Sequence, residues 1–378
     1  MEQKEIRREN WIDAAKVIAI SIVLLNHNGI VIPGVNFWGG MFYVPAFFLL
    51  AGYTYSPKEE TYGNFVKRKA KRLLVPYFVA NFFMFGFSIV KDLLLGNFAI
   101  EKSLLSLIGV FYARNQLFVN GYFMTLDFDA SLLEMLASMD RNVYLMTNLN
   151  APTWFLPALF LTLICGDAIC RKTKGKRNTL IVIMFVLFIL LPIFQAILPV
   201  LLPWSLDTLP CFLIFFLMGC ILKDVSWFEK QSEQPIIKRL GMVLWLLAML
   251  IAAGLINGSS NLSIRDYGKN CLLSVVAATT SSILLMYALY FMESKWAKVT
   301  EVISRPAKYT LSILCYHYFI GQTFITVMML VFWGKWGNNP LWWTVSLIAI
   351  ILSVVGPVVL EHLFQMFKTK RGNKTKVR

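Results

Sequence analysis

The sequence has few charged residues and few of the motifs that soluble enzymes use for catalysis. Only 15% of its 378 residues are charged, whereas 57% are hydrophobic. The apolar residues come in runs of about twenty, the length that crosses the apolar layer of a bilayer. A soluble domain would distribute its charge more evenly along the chain. The composition therefore predicts an all-α polytopic membrane protein.

Catalytic and metal-binding motifs of soluble proteins are also absent. The sequence contains no Gly-x-Ser-x-Gly, no phosphate-binding loop, no His-Glu-x-x-His and no dinucleotide-binding fingerprint. None of its six cysteines forms a Cys-x-x-Cys pair. All six lie in or beside apolar runs, so we interpret them as small buried hydrophobic residues. We expect no metal centre.

Ten segments are long and apolar enough to be membrane spans. We expect them to form a single helical bundle within residues 1–367, followed by a basic cytoplasmic tail at 368–378. The segment from 96 to 151 is either an outer loop or a re-entrant segment, and its acidic and aromatic residues suit either a solvated loop or a sugar site. The predicted spans are 11–31, 36–54, 73–95, 152–170, 179–201, 206–222, 240–257, 271–292, 309–333 and 341–366.

The basic residues predict the orientation of the bundle. With the N-terminus in the cytoplasm, 28 of the 36 Lys and Arg residues fall in inner segments and seven in outer segments. Such a bias follows the positive-inside rule, so both termini are expected to be cytoplasmic, as in a bacterial inner-membrane protein. The net charge of +15 then reflects topology and contact with anionic lipid, and we expect no nucleic-acid partner.

The first predicted span carries two ionisable residues on one face. Lys16 and His27 are eleven positions apart, which is about three helical turns and about 16 Å. Asp13 precedes Lys16 by three positions and is expected to pair with it. Ionisable groups inside a membrane span cost about 2.5–3.5 kcal/mol each, so they usually have a function.

Each of these residues also has a structural interpretation. Lys16 is near enough to the helix start to extend its ammonium group to the cytoplasmic surface. His27 is either a neutral histidine bonded to a neighbouring helix or a general base or acyl acceptor in a cavity. Asn26 beside it makes this helix end polar, which favours a wet site and the functional interpretation.

Further candidates lie on later segments. Arg68, Lys69 and Arg72 share a helix face that suits phosphate groups, although a basic run before a span is also the ordinary positive-inside signal. His317 lies about two turns inside an apolar helix, where a bonded core histidine is equally reasonable. Trp154 opens the fourth span and is either an interfacial anchor or a substrate contact.

Five short motifs occur in order across nearly the whole chain. They are Trp-Ile-Asp-x-x-Lys16 with His27, Pro45-Ala-Phe-Phe-Leu-Leu-Ala51-Gly-Tyr53, Arg72-Leu-Leu-Val-Pro76-Tyr77, Pro152-Thr-Trp154-Phe-Leu156, and Lys308-Tyr-Thr-Leu-Ser-Ile313 leading to His317. With these motifs in this order, the chain resembles membrane acyltransferases of the acyltransferase-3 family. The resemblance is greatest to the fucose 4-O-acetylase-like branch of that family. The chain departs from the family pattern at Ala51, which replaces a usual Ser, and at Tyr43, which replaces a frequent His.

The resemblance implies an O-acetyltransferase, which moves an acetyl or related acyl group from acyl-CoA, most often acetyl-CoA. Acetyl-CoA would place its phosphates at Arg68, Lys69 and Arg72, and its thioester arm would pass Lys16, which Asp13 steadies. His27 would deprotonate an acceptor hydroxyl or carry the acetyl group. The acceptor would be a carbohydrate of the cell surface or its lipid-linked precursor, held by residues such as Trp154, His317, Tyr43 and Asn26.

Two other functions fit the same sequence. One is a transporter for small amino-acid-like molecules, since serine racemases of vancomycin resistance carry a similar membrane domain. The other is a non-catalytic partner in envelope synthesis, which the departures at Ala51 and Tyr43 suggest. Turnover of acetyl-CoA in detergent separates the enzyme from the transporter, because transport needs a closed membrane.

Overall fold

The computed structural model describes residues 9–30, 32–56, 59–114, 150–197, 201–331 and 340–375, and these residues are almost entirely helical. Their only β-type pairing is an isolated bridge between Asn261 and Asp266. Short 3-10 turns precede several of the helices. The helices of the described residues are α1 (Asn10–His27), α2 (Pro33–Tyr53), α3 (Tyr62–Leu94), α4 (Ile100–Tyr112), α5 (Phe155–Lys172), α6 (Arg177–Ile197), α7 (Leu209–Asp224), α8 (Trp227–Glu233), α9 (Ile236–Asn257), α10 (Cys271–Lys295), α11 (Ala297–Ser304), α12 (Thr310–Val331) and α13 (Pro340–Thr375).

The predicted fold class is confirmed, and each of the ten predicted spans coincides with a helix. Nine helices in the described part of the chain are long and apolar enough to cross a membrane. Helix α1 is not among them, because Asp13, Lys16 and its polar ends interrupt a short apolar run. The last helix continues to Thr375 and so extends past residue 368, where the sequence predicted a separate tail.

Three helices were not predicted as such: α4, α8 and α11. Helix α4 has 13 residues, about 20 Å, which is too short to cross a bilayer. It lies in the segment predicted as an outer loop or a re-entrant segment. The acidic and aromatic residues that suggested a sugar site there fall between 115 and 149, outside the described residues.

Local sequence signals explain where several helices begin. The Thr61 side chain accepts a hydrogen bond from the Asn64 amide and caps α3. Asn270 does the same for α10, because its side chain accepts from the amides of Leu272 and Leu273. These caps satisfy amide groups that a helix start would otherwise leave without partners.

Helices α2 and α7 pack with their backbones in contact. A Cβ atom added at Gly52 would overlap the carbonyl oxygen of Phe216, and one added at Gly219 would overlap that of Leu49. Small residues allow this approach, which is typical of membrane helices. Stacked rings of Phe48 and the α7 residue Phe212, 4.1 Å apart, extend the same contact.

Helix α1 lies inside the bundle, against α2, α10, α11 and α12. The backbone amides of Asn10 and Trp11 bond to the carboxylate of Glu293, near the C-terminal end of α10. Helices α1 and α10 therefore run antiparallel. The loop 258–270, which precedes α10, consequently lies at the end of the bundle where α1 finishes at His27.

The glycine contact between α2 and α7 predicts a selective loss of stability. Gly219→Ala adds a Cβ atom against backbone that has no space to yield, so overpacking should cost at least about 1–3 kcal/mol. Gly241→Ala, on α9, meets no atom within 4 Å and is the matched control. Thermal unfolding in detergent should show a lower midpoint for Gly219→Ala alone. Equal midpoints for the two variants would contradict this packing.

Candidate functional site

Most of the predicted site residues line one cavity of about 740 Å³. Helices α1, α2, α3, α5 and α12 contribute to its wall, together with the turns before α5 and α12. We call the group Lys16, Arg68, Lys69, Arg72 and Lys308 at one end of the cavity the basic mouth. The far end is formed by Asn261 and Ser263 of loop 258–270. Apolar side chains such as Ile20, Phe47 and Leu314 line the part between these ends.

The predicted pair on α1 is present. The Lys16 ammonium donates to the Asp13 carboxylate across 2.9 Å, and both residues line the cavity. Asp13 is 14% and Lys16 is 32% exposed, so this charge pair lies at the edge of the cavity rather than in the apolar interior. The pair therefore neutralises part of the charge on α1 and holds Lys16 beside the cavity.

The other cations of the mouth come from α3 and from the turn before α12. Arg68 forms a two-point ion pair with Glu60. The Lys69 ammonium lies 5.3 Å from the centre of the Phe65 ring. Arg72 is exposed, as is Lys308. Among the described residues, the five cations of the mouth are accompanied by the carboxylates of Asp13 and of the neighbouring Glu60, an excess of positive charge that suits a polyanion.

A buried carboxylate is connected to the basic mouth through a chain of hydrogen bonds. Asp167 of α5 is fully buried and accepts hydrogen bonds from Tyr55 at 2.7 Å and from Arg171 at 2.6 Å. Arg171 also donates to the backbone oxygen of Glu60, the partner of Arg68. Burial and the bond to Asp167 raise the pKa of Tyr55, so it remains a neutral hydroxyl on the cavity wall. This chain of contacts links α5 to the position of Arg68.

At the opposite end of α1, the two candidate histidines form a direct pair. His27 Nδ1 lies 2.9 Å from His317 Nε2, and the rings are parallel to within 1°. His317 Nδ1 is 2.7 Å from the backbone oxygen of Ile313. Since a carbonyl oxygen only accepts, a neutral His317 carries its proton on Nδ1, and with both rings neutral its Nε2 accepts from His27 Nδ1–H. The Nε2 atom of His27 is then the unprotonated nitrogen of a residue that lines the cavity.

Polar contacts from α12 and α13 fix this end of α1. Gln322 donates to the backbone oxygen of His27. The buried Asn28 donates to the Leu24 oxygen at 2.8 Å, and the Ser353 hydroxyl donates to the His317 oxygen at 3.1 Å. A Cβ atom at Gly321 would overlap the Asn28 side chain. The polar end of α1 is thus satisfied by protein groups, which holds the His27 ring in place.

Trp154 and Tyr43 also line the cavity. Trp154 is only 6% exposed and ends a 3-10 turn that Asn81 anchors by donating to Thr153 at 2.9 Å. Asn150, just before this turn, donates to the backbone oxygen of Cys315 at 2.7 Å, close to His317. The turn therefore forms cavity wall beside α12, the helix that carries His317.

The structure separates one predicted site residue from the others. Asn26 is exposed, bonds to Asn36 and does not line the cavity. His317 reaches the site through His27 rather than lining the cavity itself. Lys308 lines the mouth, although in the sequence it was only part of a motif. Asp167 was missed although it is an acid inside the predicted span 152–170, the same signal that pointed to Lys16 and His27. Within the described ranges, no three His, Cys, Asp or Glu residues lie close enough together to hold a metal ion.

Comparison with known proteins identifies the family of the chain. A family model described as an acyltransferase domain matches residues 9–362, which is nearly the whole chain. No curated protein and no solved structure matches the chain significantly. The match includes every residue of the basic mouth and both histidines. The chain therefore belongs to the acyltransferase-3 family of membrane acyltransferases.

Proposed function

We propose that the protein transfers an acetyl group from acetyl-CoA to a hydroxyl group of a cell-surface polysaccharide or its lipid-linked precursor. The observation that carries this proposal is the single cavity that joins a cluster of cations to the His27–His317 pair. A cavity of this volume is in the usual range for ligands of cofactor size.

The basic mouth suits the phosphates of the acyl donor. Arginine and lysine are the side chains that bind phosphate, and arginine does so with two parallel donors. From Lys16 to His27 the path along α1 is about 16 Å, and the wall beside it is apolar. An uncharged pantetheine arm can occupy such a path and bring its thioester to His27.

The histidine pair supplies the base. His27 Nε2 takes the proton of the acceptor hydroxyl, whose oxygen attacks the thioester carbonyl. The carbon–sulfur bond then breaks, and the thiolate of CoA receives the proton from His27. In the other order, His27 Nε2 attacks the thioester carbonyl, the carbon–sulfur bond breaks and CoA leaves as its thiolate. The acceptor hydroxyl then displaces Nε2 from the acetyl carbon, and its proton passes to the thiolate. In both orders His317 fixes the tautomer that leaves Nε2 free.

The positive-inside bias assigns the two ends of the cavity to the two sides of the membrane. The basic mouth belongs with the cytoplasmic segments, where acetyl-CoA is found, and both termini are then cytoplasmic. The far end belongs with the outer segments of a bacterial inner membrane. The donor and the acceptor would thus reach His27 from opposite sides.

A transporter is the second candidate, because residues from both ends of the bundle line the same cavity. The two functions differ in one measurement. Release of CoA from acetyl-CoA by the purified protein in detergent supports the enzyme. Absence of both turnover and acetyl-CoA binding in detergent would favour the transporter.

Replacement of His27 should abolish transfer. His27→Ala removes the base, and such a loss commonly lowers the rate by about 10²–10⁴-fold. His362→Ala is the control, since His362 is the third histidine of the chain and does not line the cavity. CoA release should fall in the first variant only, with equal amounts of both proteins in the membrane. Full activity of His27→Ala would overturn the assignment of His27 as the catalytic base, whereas a non-catalytic partner would release no CoA in either variant or in the unaltered protein.

The histidine pair predicts a graded effect at position 317. His317→Leu removes the acceptor for His27 Nδ1–H and should lower kcat by about 10-fold or more, with little change in the KM for acetyl-CoA. His317→Gln places an amide oxygen near the former Nε2 and should recover part of kcat. Identical losses in the two variants would indicate that His317 only fills space.

The basic mouth predicts a phosphate-dependent change in KM. Arg72→Ala and Lys308→Ala should each raise the KM for acetyl-CoA by roughly 5- to 10-fold, because each removes one charge-assisted contact. S-acetyl-pantetheine lacks the nucleotide phosphates and serves as the control donor. Its KM should be unchanged in both variants, whereas an equal increase for both donors would assign these residues a structural role.

A further inference from the structure

We infer that Asn261 and Ser263 form a subsite for a sugar hydroxyl of the acceptor. This inference rests on the proposed acyltransferase function and adds the residues that would recognise the acceptor. Both residues line the cavity that contains Lys16 and His27. They belong to loop 258–270, which lies at the His27 end of the bundle because α1 and α10 are antiparallel.

The two side chains form a matched donor and acceptor. The Ser263 hydroxyl donates to Asn261 Oδ1 across 2.6 Å, and the Ser263 amide donates to the same oxygen across 3.1 Å. These bonds leave the Asn261 amide nitrogen as a donor and the lone pairs of the Ser263 hydroxyl as an acceptor. A sugar hydroxyl both donates and accepts, so it can bond to both groups at once.

The far end differs from the basic mouth in charge. Among the described residues, the cations that line the cavity are all at the mouth. A neutral hydroxyl-rich ligand therefore fits the far end better than a phosphate does. Asn261 is exposed and Ser263 is half-buried, so a ligand can reach this end from the protein surface.

A buried guanidinium fixes the loop that carries the subsite. Arg114 is fully buried and donates to the backbone oxygen of Ser263 at 2.6 Å. It also donates to the buried carboxylate of Asp207 and to the Thr208 hydroxyl. The backbones of Asn261 and Asp266 exchange two further hydrogen bonds of 2.7 and 2.9 Å. The subsite is therefore preorganised, and Arg114 acts as a positioning residue.

The test compares water and sugars as acceptors. The purified protein in detergent would receive acetyl-CoA with or without the methyl glycosides of glucose, galactose and fucose, and CoA release would be followed with a thiol reagent. We expect at least one glycoside to accelerate release above the hydrolysis rate. Asn261→Ala and Ser263→Ala should each raise the half-saturating glycoside concentration by about 3- to 10-fold, as expected for one lost hydrogen bond.

The controls separate this subsite from the catalytic steps. Hydrolysis of acetyl-CoA and its KM should be unchanged in both variants. Ser260→Ala alters a half-buried hydroxyl of the same loop that does not line the cavity, and it should leave the glycoside dependence unchanged. Hydrolysis without acceleration by any glycoside, or equal glycoside dependence in all variants, would overturn the subsite alone. Absence of any turnover would overturn the proposed function as well.

Arg114→Lys tests the positioning role. Lysine keeps the charge but cannot hold Ser263, Asp207 and Thr208 with one planar fork. We expect a higher half-saturating glycoside concentration with an unchanged KM for acetyl-CoA. A lower unfolding temperature with unchanged glycoside dependence would show that Arg114 only stabilises the loop.

Discussion

The hydrogen bond between His27 and His317 is the interaction on which the site depends. It joins α1 to α12 and requires the polar end of α1 to be buried against two other helices. Because His317 bonds to a backbone oxygen, the protons of both rings are fixed in one arrangement. This hydrogen bond therefore determines the orientation of the His27 ring and the nitrogen available to a substrate.

Other contacts in the bundle offset the cost of placing ionisable and polar groups of α1 inside the membrane protein. Ionisable groups inside a membrane protein are tolerated where they face other protein groups or a wet cavity. Asp13 pairs with Lys16 at one end of α1, and Gln322 and Asn28 satisfy polar groups at the other. The close contact of α2 with α7 brings the wall residues of α2 into a fixed position beside α1. The cavity is thus bounded by helices that pack closely against one another.

Much of this arrangement follows from sequence patterns. Apolar run length predicted each long helix, and helical spacing predicted the Asp13–Lys16 contact and the common face of Lys16 and His27. Contacts between distant segments did not follow, since no local pattern links His317 to His27 across 290 positions or Asp167 to Tyr55. Asn26 was predicted to be a site residue but does not line the cavity. The sequence shows that this end of α1 is polar, but it does not reveal which side chain faces the cavity.

The most direct test of the proposed mechanism is an experimental structure of the protein bound to a non-hydrolysable acetyl-CoA analogue. The phosphates should lie at the basic mouth, against Arg72 and Lys308, and the acyl carbonyl should lie within contact distance of His27 Nε2. An analogue bound outside the cavity, or with its acyl group remote from His27, would contradict the assignment of His27 as the catalytic base.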